Sequence, residues 1–384
     1  MSKRPSLRRA PPYPSPSGRG WAGAAGRNSA IGCGQTFPPP PNLPRRGRGN
    51  RIAVLAVFTL ASLSRADVRP GPEVDSAIDR ALAYLARQQK PDGLITDGPN
   101  RVATTGLATL AFLAAGHVPD EGKYGGVVRN AVDALVKSVP PAGYVGGVDG
   151  SRMYGHGIVT LALAQAAGVD PSEKRRAALR TTLERMIKVI LDAQNVQKDP
   201  TNAGGWRYEP NSGDSDLSLS GWASLSLRAA QNAGLNVPKE PAERAVGFIA
   251  RCFKADEGCF CYTPGQAPSI AMTSVGVLDL HLLDAADRPE VARAAAWLAT
   301  HPVQNDTRFF YYSLYYSTQA ATQVGGDLQE QTWKNNKGLL LARQQDDGGF
   351  PQSTTAEEPG RVYATAMAAL TLAVPYQMLP IYQR

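Results

Sequence analysis

Side chains that bind metals or form disulfides are scarce in this chain of 384 residues, which has four cysteines and four histidines. Three of the cysteines, Cys252, Cys259 and Cys261, lie close together, and Cys33 stands apart near the amino terminus. In an oxidising compartment two of the clustered cysteines could pair and leave the third free. We expect neither a bound metal nor a cofactor.

Acidic residues are absent from residues 1–66, which hold eleven lysines or arginines. The remainder, residues 67–384, has 30 basic and 33 acidic residues and so a net charge of about −3, although the whole chain has +8. A basic tail on a nearly neutral body does not provide the basic surface that nucleic-acid binding requires. We therefore expect no nucleic-acid partner.

Residues 1–50 hold ten of the thirty prolines and are otherwise rich in Gly, Ser and Arg. This composition buries too little apolar surface to offset the entropy of ordering, so we expect residues 1–50 to be disordered. Residues 51–66 contain a twelve-residue apolar run that follows several arginines and ends at Ser64-Arg65-Ala66. That pattern is typical of a secretory signal peptide.

Such a signal predicts export to the periplasm or beyond the cell, with no stable membrane insertion outside the signal segment. Signals normally start near the first methionine, so we suggest that translation begins near residue 50 and that residues 1–50 are a gene-model artefact. The alternative is an amino-terminal segment that stays uncleaved and anchors the protein.

A repeated sequence dominates the rest of the chain. Leu-Ala-Arg-Gln-Gln stands at residues 85–89 and again at 341–345, each time before a turn that contains Asp-Gly. Between the two copies, apolar residues recur at helical spacing and Gly-rich turns recur about every fifty residues. The predicted helix pairs are 74–89 with 102–115, 125–138 with 153–167, 172–194 with 216–233, 240–253 with 268–283, 288–300 with 308–324, and 328–345 with 361–373.

Residues 73–384 therefore form one all-α domain of six helical hairpins. In each hairpin one helix is too apolar to face water, so the hairpins must stack on one another. An open stack usually ends in atypical capping repeats. Both end repeats here keep the shared sequence, which favours closure into a single (α/α)6 toroid over an open solenoid.

Three segments, 204–208, 213–222 and 311–319, resemble the repeats of squalene cyclases and protein prenyltransferase β subunits. The likeness is greater still to bacterial "prenyltransferase/squalene oxidase repeat" proteins, and it covers about residues 74–384. The resemblance implies an α/α toroid with an inner and an outer layer of helices. It also implies that a central cavity holds the ligand.

Asp214 and Asp216 are the candidate catalytic residues. Triterpene cyclases carry an Asp-x-Asp-Asp cluster at the comparable place, where a protonated Asp starts carbocation formation. This chain has Leu217 at the fourth position, which departs from that pattern. The alternative is structural, with Asp216 as the N-cap of its helix, because free backbone N–H groups stabilise a carboxylate there.

Aromatic side chains supply the candidate cavity wall. Tyr312, Tyr315 and Tyr316 share one helix face, with Gln319 one turn further on. Trp222 lies on another inner helix and could extend the same wall. Aromatic faces there could stabilise a cation or stack on a sugar, or they could only pack the helices together.

Trp206 and His156 complete the candidate ligand-binding residues. Trp206 belongs to one of the segments that carry the resemblance. His156 opens the second inner helix, where it could act as an acid or base or serve only packing.

The family resemblance also raises the question of zinc, because prenyltransferases bind zinc through Asp, Cys and His. Asp256, Cys259, Cys261 and His281 are of the right types. Their spacing does not reproduce the family's set, so we expect no metal site.

Three functions compete for this toroid. The first is action on, or binding of, an isoprenoid or lipid in a deep apolar cavity, of terpenoid cyclase or prenyltransferase type if the protein is an enzyme. The second is carbohydrate hydrolysis or lysis, which predicts an open groove with acids on opposite walls. The third is binding without catalysis, which predicts no converging acids. The sequence does not decide whether the toroid is a catalyst, nor its oligomeric state.

Overall fold

Twelve α-helices follow one another in the computed structural model, which describes residues 70–353 and 358–383. Between α7 and α8, a two-stranded antiparallel hairpin joins β1 (Phe253–Lys254) to β2 (Cys259–Phe260). The helices are α1 (Pro72–Arg87), α2 (Arg101–Ala114), α3 (Gly125–Ser138), α4 (Arg152–Val169), α5 (Glu173–Asn195), α6 (Leu217–Asn232), α7 (Glu240–Arg251), α8 (Ile270–Leu282), α9 (Pro289–Thr300), α10 (Phe310–Val324), α11 (Gly326–Leu341) and α12 (Gly360–Ala373).

The six predicted helix pairs are confirmed, and most of their ends fall within two residues of the predicted positions. The largest difference is at α11, which ends at Leu341 rather than at residue 345. The predictions for residues 1–50 and 51–66 lie outside the described residues. No helix among the described residues has both the length and the apolar character needed to cross a membrane.

Even-numbered and odd-numbered helices form two layers. In α2 every residue from Val102 to Ala114 is buried, whereas α1 buries seven of its sixteen residues along one face. A helix that is apolar all round must lie inside, and an amphipathic one can face water. The even-numbered helices are therefore the inner layer, and the odd-numbered helices cover them.

The inner layer is a closed ring. Contacts run from α2 through α4, α6, α8, α10 and α12 and return to α2, while α1 packs against α11 and α12. Closure is sealed by Asp97, whose Oδ2 accepts hydrogen bonds from the backbone N–H groups of Arg361 (2.7 Å) and Val362 (3.0 Å). The predicted closure of six hairpins into a toroid is confirmed.

A glutamine at the end of an outer helix recurs as a clamp between hairpins. Gln89 donates from Nε2 to the carbonyls of Gly93 (3.0 Å) and Val127 (2.9 Å), and Gln344 donates in the same way to Gly348 (2.9 Å) and Ala77 (2.8 Å). Each clamp ties its own turn to the next outer helix. When the two copies of the shared sequence are aligned residue by residue, Gln89 aligns with Gln345. The residue that makes the equivalent hydrogen bonds is nevertheless Gln344, one position earlier.

The clamped turn needs glycine. Gly348 has φ +85°, and a methyl group on its Cα would lie 2.4 Å from the carbonyl oxygen of Arg80 in α1. A left-handed backbone and this close approach both exclude larger residues. The turn thus lets the last outer helix approach the first one.

A carboxyl-terminal tail closes one end of the ring. After α12, short 3₁₀ helices form at Val374–Tyr376 and Pro380–Tyr382, and the second packs against α4 and α6. The carbonyl of Pro380 accepts a hydrogen bond from Asn232 at the end of α6 (3.4 Å). The hydroxyl of Tyr382 meets that of Tyr315 at 2.7 Å, so the tail reaches the interior of the ring.

Candidate site at the mouth and centre of the ring

All inner helices begin at the same end of the ring, which we call the mouth. The backbone N–H of Met153 at the start of α4 donates to the carbonyl of Tyr208 just before α6 (2.9 Å). The N–H of Leu217 at the start of α6 donates to Tyr262 just before α8 (2.8 Å). These hydrogen bonds join the segments that precede neighbouring inner helices, so side chains from several repeats converge at the mouth.

Five tyrosines line the mouth, and each is partly exposed. The hydroxyls of Tyr208 and Tyr262 meet at 2.5 Å, and Tyr154 meets Ser218 at the same distance. These pairs lie side by side, since the rings of Tyr154 and Tyr208 are 5.9 Å apart. The five are Tyr154, Tyr208, Tyr262, Tyr312 and Tyr363.

Asp216 is fully buried at the base of this mouth and caps α6. Its Oδ1 accepts hydrogen bonds from the N–H of Leu219 (2.9 Å) and the hydroxyl of Ser218 (2.7 Å), and its Oδ2 lies 3.4 Å from Arg207. Burial raises the pKa of Asp216, against the lowering effect of these hydrogen bonds. The N-capping role considered from the sequence is present.

Asp214 differs from Asp216 in its surroundings. Its side chain is 57% exposed and pairs with Nε of Arg207 at 3.2 Å. The Arg207 guanidinium lies between the two carboxylates and over the rings of Tyr208 (4.7 Å) and Tyr262 (5.4 Å). The predicted acid pair is therefore bridged by a cation rather than sharing a proton.

A second buried carboxylate, Glu358, lies on another wall and was missed by the sequence analysis. Its Oε1 accepts from the N–H of Tyr312 (2.9 Å) and its Oε2 from that of Tyr311 (3.4 Å), which caps α10. Burial raises the pKa of Glu358. No local pattern marks this residue, because it is far along the chain from the helix that it caps.

The centre of the ring is filled by aromatic side chains from α6 and α10, the two inner helices on either side of α8. The ring of Trp222 on α6 meets the ring of Tyr316 on α10 edge-on at 5.8 Å, and Tyr316 lies 4.4 Å from Tyr312 and 5.2 Å from Tyr315. Gln319 is also buried. Burial raises the pKa of Tyr315, and the weaker effect of its hydrogen bond with Gln319 is to lower that pKa. The predicted wall residues are thus brought together.

Asp279, on α8, is a third buried acid and also escaped the sequence analysis. It is fully buried, and neither carboxylate oxygen has a hydrogen-bond partner in the described part of the chain. Burial alone raises its pKa well above the usual value, which favours the protonated, uncharged carboxyl. A lone acid in the largely apolar stretch 270–283 was the sequence signal that could have marked it.

Trp206 and His156 point away from this centre. The indole Nε1 of Trp206 donates to the carbonyl of Ile190 in α5 (2.8 Å), and Nε2 of His156 lies 3.0 Å from the carbonyl of Met186 in the same helix. Burial lowers the pKa of His156 to about 4, so it is neutral near pH 7. Both side chains contact the outer layer.

Cys252, Cys259 and Cys261 are free thiols, and all three are buried. The N–H of Cys261 donates to the carbonyl of Cys252 (2.9 Å) at the base of the β-hairpin. Within residues 70–353 and 358–383, no three metal-binding side chains lie together in a way that could hold an ion. A shallow depression bordered by Asn305 and Lys334 lies on the outer layer, away from the aromatic centre.

The model of the prenyltransferase alpha-alpha toroid domain matches residues 157–305 and 211–381 of this chain. Together these matches span more than half of the sequence and include the inner helices that carry Asp216, Asp279 and Tyr312. The chain belongs to the prenyltransferase alpha-alpha toroid family. A comparison of this chain with curated proteins found no match.

Solved structures of similar shape come from proteins of different activities. Type II terpene cyclase MstE from Scytonema is 14% identical over 80% of this chain and 99% of its own, with a TM-score of 0.54. Cellobiose 2-epimerase from Bacillus thermoamylovorans B4167 is 13% identical over 78% and 98%, with 0.57. An inactive variant of the α-1,6-mannanase GH76A from Salegentibacter sp. HEL1_6 is 10% identical over 80% and 99%, with 0.53. At these identities the likeness shows the toroid fold and leaves the activity undetermined.

Proposed function

We propose that this toroid binds an isoprenoid or another lipid, with the chain of the ligand running from the mouth to the centre of the ring. The observation that carries the proposal is the order of the side chains. Partly exposed tyrosines at the mouth lead to a fully buried floor of Trp222, Tyr315 and Tyr316. An unsaturated hydrocarbon chain can bury its whole length against such faces, at about 0.8 kcal/mol per methylene group.

Entry of a ligand requires the mouth to open. The tyrosine pairs meet over the floor through single hydroxyl contacts, such as Tyr208 with Tyr262 and Tyr154 with Ser218. Each net hydrogen bond of this kind contributes only about 1 kcal/mol. The hydrocarbon burial expected for a long chain is larger, so a lipid can displace these contacts.

The chemistry of the floor supports the lipid over charged ligands. Burial favours the protonated, uncharged form of Asp279, and Asp216 is already engaged by Arg207 and the start of α6. Should the protein also catalyse a reaction, Asp279 is the buried acid able to donate a proton to a carbon–carbon double bond. The shape shared with a type II terpene cyclase is compatible with this choice.

A carbohydrate ligand is the second candidate, and one observation favours it. Asp216 and Glu358 come from different walls, and both lie near Tyr312: Asp216 raises the pKa of its hydroxyl and Glu358 binds its backbone N–H. Acids on opposite walls are what a glycosidase needs. Both carboxylates are buried as helix caps, however, and neither is free to activate water, so this candidate ranks second.

We further propose that the protein is exported, on the signal-like pattern of residues 51–66. Expression of the full sequence in a bacterium, followed by fractionation and amino-terminal sequencing, tests this. Cleavage after Ala66 and recovery outside the cytoplasm are expected. A mature protein that keeps residues 51–66 in the membrane fraction supports the uncleaved anchor instead.

Titration of the purified protein with geranylgeraniol and, in parallel, with α-1,6-mannotriose tests the ligand class. Tryptophan emission is expected to change with the lipid and not with the sugar. The change should disappear in Trp222→Phe and persist in Trp297→Phe, which alters a tryptophan of the outer helix α9. A response to mannotriose alone overturns the proposal.

A further inference from the structure

We infer that the centre of the ring contains a polar subsite, formed by Asp279, Tyr312 and Tyr316, that binds a neutral oxygen atom of the ligand. The inference rests on the proposed function and deepens it. It names the end of the ligand that enters first, namely an alcohol, ether or carbonyl terminus. Nothing in the family match or in the similar structures assigns a role to these three side chains together.

Three buried polar groups without a partner outside their own group carry the inference. Both carboxylate oxygens of Asp279 and the hydroxyls of Tyr312 and Tyr316 are buried, and within the described residues no side chain outside this group pairs with them, although a contact with the hydroxyl of Tyr316 acts to lower the pKa of Tyr312. Buried polar groups in folded proteins are nearly always paired, since each unpaired one costs about 1–3 kcal/mol. Three buried polar groups with no partner outside their own group point to a missing partner rather than to chance.

The three groups lie close together because α8 packs against both α6 and α10, its two neighbours in the ring. The carboxylate of Asp279 packs against the α6 backbone, where a methyl group on Gly221 would lie 3.3 Å from Oδ2. The next residue, Trp222, contacts the ring of Tyr316. The charge of an ionised Asp279 would raise the pKa of both tyrosines, as expected for close neighbours.

The donors and acceptors at this point suit a neutral oxygen. The carboxyl of Asp279, whose pKa burial raises, and the two tyrosine hydroxyls can provide O–H donors, and a ligand oxygen can accept two of them through its two lone pairs. A diphosphate would need cations beside it, whereas the charges that act most strongly on Tyr316 are those of Asp279 and of three tyrosines, Tyr312, Tyr315 and Tyr382. The site therefore selects an uncharged polar terminus.

Three probes with the same twenty-carbon isoprenoid chain test the inference: geranylgeraniol, the corresponding hydrocarbon without the hydroxyl, and the corresponding primary amine. Each is titrated against the full protein and against Asp279→Leu and Tyr316→Phe. The alcohol is expected to bind the unaltered protein at least about tenfold more tightly than the hydrocarbon. A tenfold difference in affinity corresponds to the binding free energy that one or two hydrogen bonds contribute in a site without water. In Asp279→Leu that preference is expected to vanish while the hydrocarbon binds as before.

Tyr316→Phe removes one donor and keeps the aromatic ring, so a smaller loss of the preference for the alcohol is expected. This variant also decides the matter if Asp279→Leu fails to fold. Equal binding of alcohol and hydrocarbon overturns the polar subsite and leaves the proposed lipid function standing. Tightest binding of the amine overturns it in favour of a cation site, and no binding of any probe overturns the proposed function itself.

Discussion

Asp216 and Asp279 show how differently one side chain behaves inside this ring. Asp216 is buried with the N–H of Leu219, Ser218 and Arg207 around it, whereas Asp279 is buried with no partner in the described residues. The first stabilises the start of a helix. The second lowers the stability of the fold, and proteins retain such destabilising residues mainly at functional sites.

Replacement of Asp216 by alanine is expected to lower the free energy of unfolding by about 2–3 kcal/mol. It removes a helix cap, the acceptor for the hydroxyl of Ser218 and one of the two carboxylates beside Arg207. Asp216→Asn should cost less, because an amide oxygen can still accept from Leu219. Urea unfolding followed by circular dichroism measures both.

Ser172→Ala is the matched control for this prediction, since Ser172 caps the outer helix α5 by accepting from the N–H of Arg175 at 3.3 Å. It should cost about 1 kcal/mol. If Asp216 acts only as a cap, lipid binding should survive in folded Asp216→Asn. Loss of binding there at unchanged stability would assign Asp216 to the ligand instead.

Asp279→Asn is expected to change how stability depends on pH. In the unfolded chain this aspartate releases its proton near pH 4, whereas burial raises its pKa in the folded protein. The folded state therefore holds one more proton above pH 4, so rising pH favours unfolding, by up to about 1.4 kcal/mol per pH unit until the folded pKa is reached. Asp279→Asn lacks this loss, so its stability relative to the original protein should rise as the pH increases above 4, until the folded pKa is reached. A difference that stays constant above pH 4 would contradict the burial of an unpaired acid.

The sequence predicts these residues to different degrees. The capping of α6 by Asp216 could be anticipated because the contact is local, from a residue to the N–H three positions later. Asp279 was detectable as a lone acid in an apolar inner helix, but its neighbours Trp222 and Tyr316 come from other hairpins. Glu358 was beyond reach, because its partners at the start of α10 are set by how two inner helices pack.

At the scale of helices and turns, the glutamine clamp explains why the shared sequence recurs. Gln194 repeats the clamp between α5 and α7, donating to the carbonyls of Gly204 (2.7 Å) and Pro241 (2.9 Å). Apolar spacing sufficed to predict the helices themselves. It did not reveal that Gln89 has the same role as Gln344 rather than Gln345, because the position of the clamping glutamine depends on where the outer helix ends.

Gln344→Ala is expected to loosen the seam of the ring. Its two carbonyl partners, in Ala77 and Gly348, would lose their donor, at a cost of about 1–3 kcal/mol. Hydrogen exchange measured by mass spectrometry should accelerate in α1 and α11. Gln194→Ala removes the same clamp in mid-ring and should affect α5 and α7 instead. Equal patterns in the two variants would show that the seam is no special boundary.

At the scale of the whole toroid, ring closure brings the first and last repeats together around one interior. The end repeats predicted a ring because neither looks like a cap, and the contact between α2 and α12 confirms it. The sequence could not predict that the last residues fold back into the ring. Tyr382 lies in a short segment without helical periodicity, and only the meeting of its hydroxyl with Tyr315 reveals its position.

The tail lies beneath the floor of the proposed ligand site, where Tyr382 meets Tyr315, so its removal should open the centre from below. Deletion of residues 378–384 removes Tyr382 and the backbone contacts to Asn232 and Gln165. Acrylamide quenching of Trp222, isolated by comparison with Trp222→Phe, is expected to rise, and the melting temperature to fall. Tyr382→Phe keeps the ring and loses only the bond to Tyr315, so quenching should stay unchanged at a cost of about 1 kcal/mol. Unaltered quenching in the deletion would mean that the inner helices close the centre without the tail, and the ligand would then reach no deeper than Tyr316.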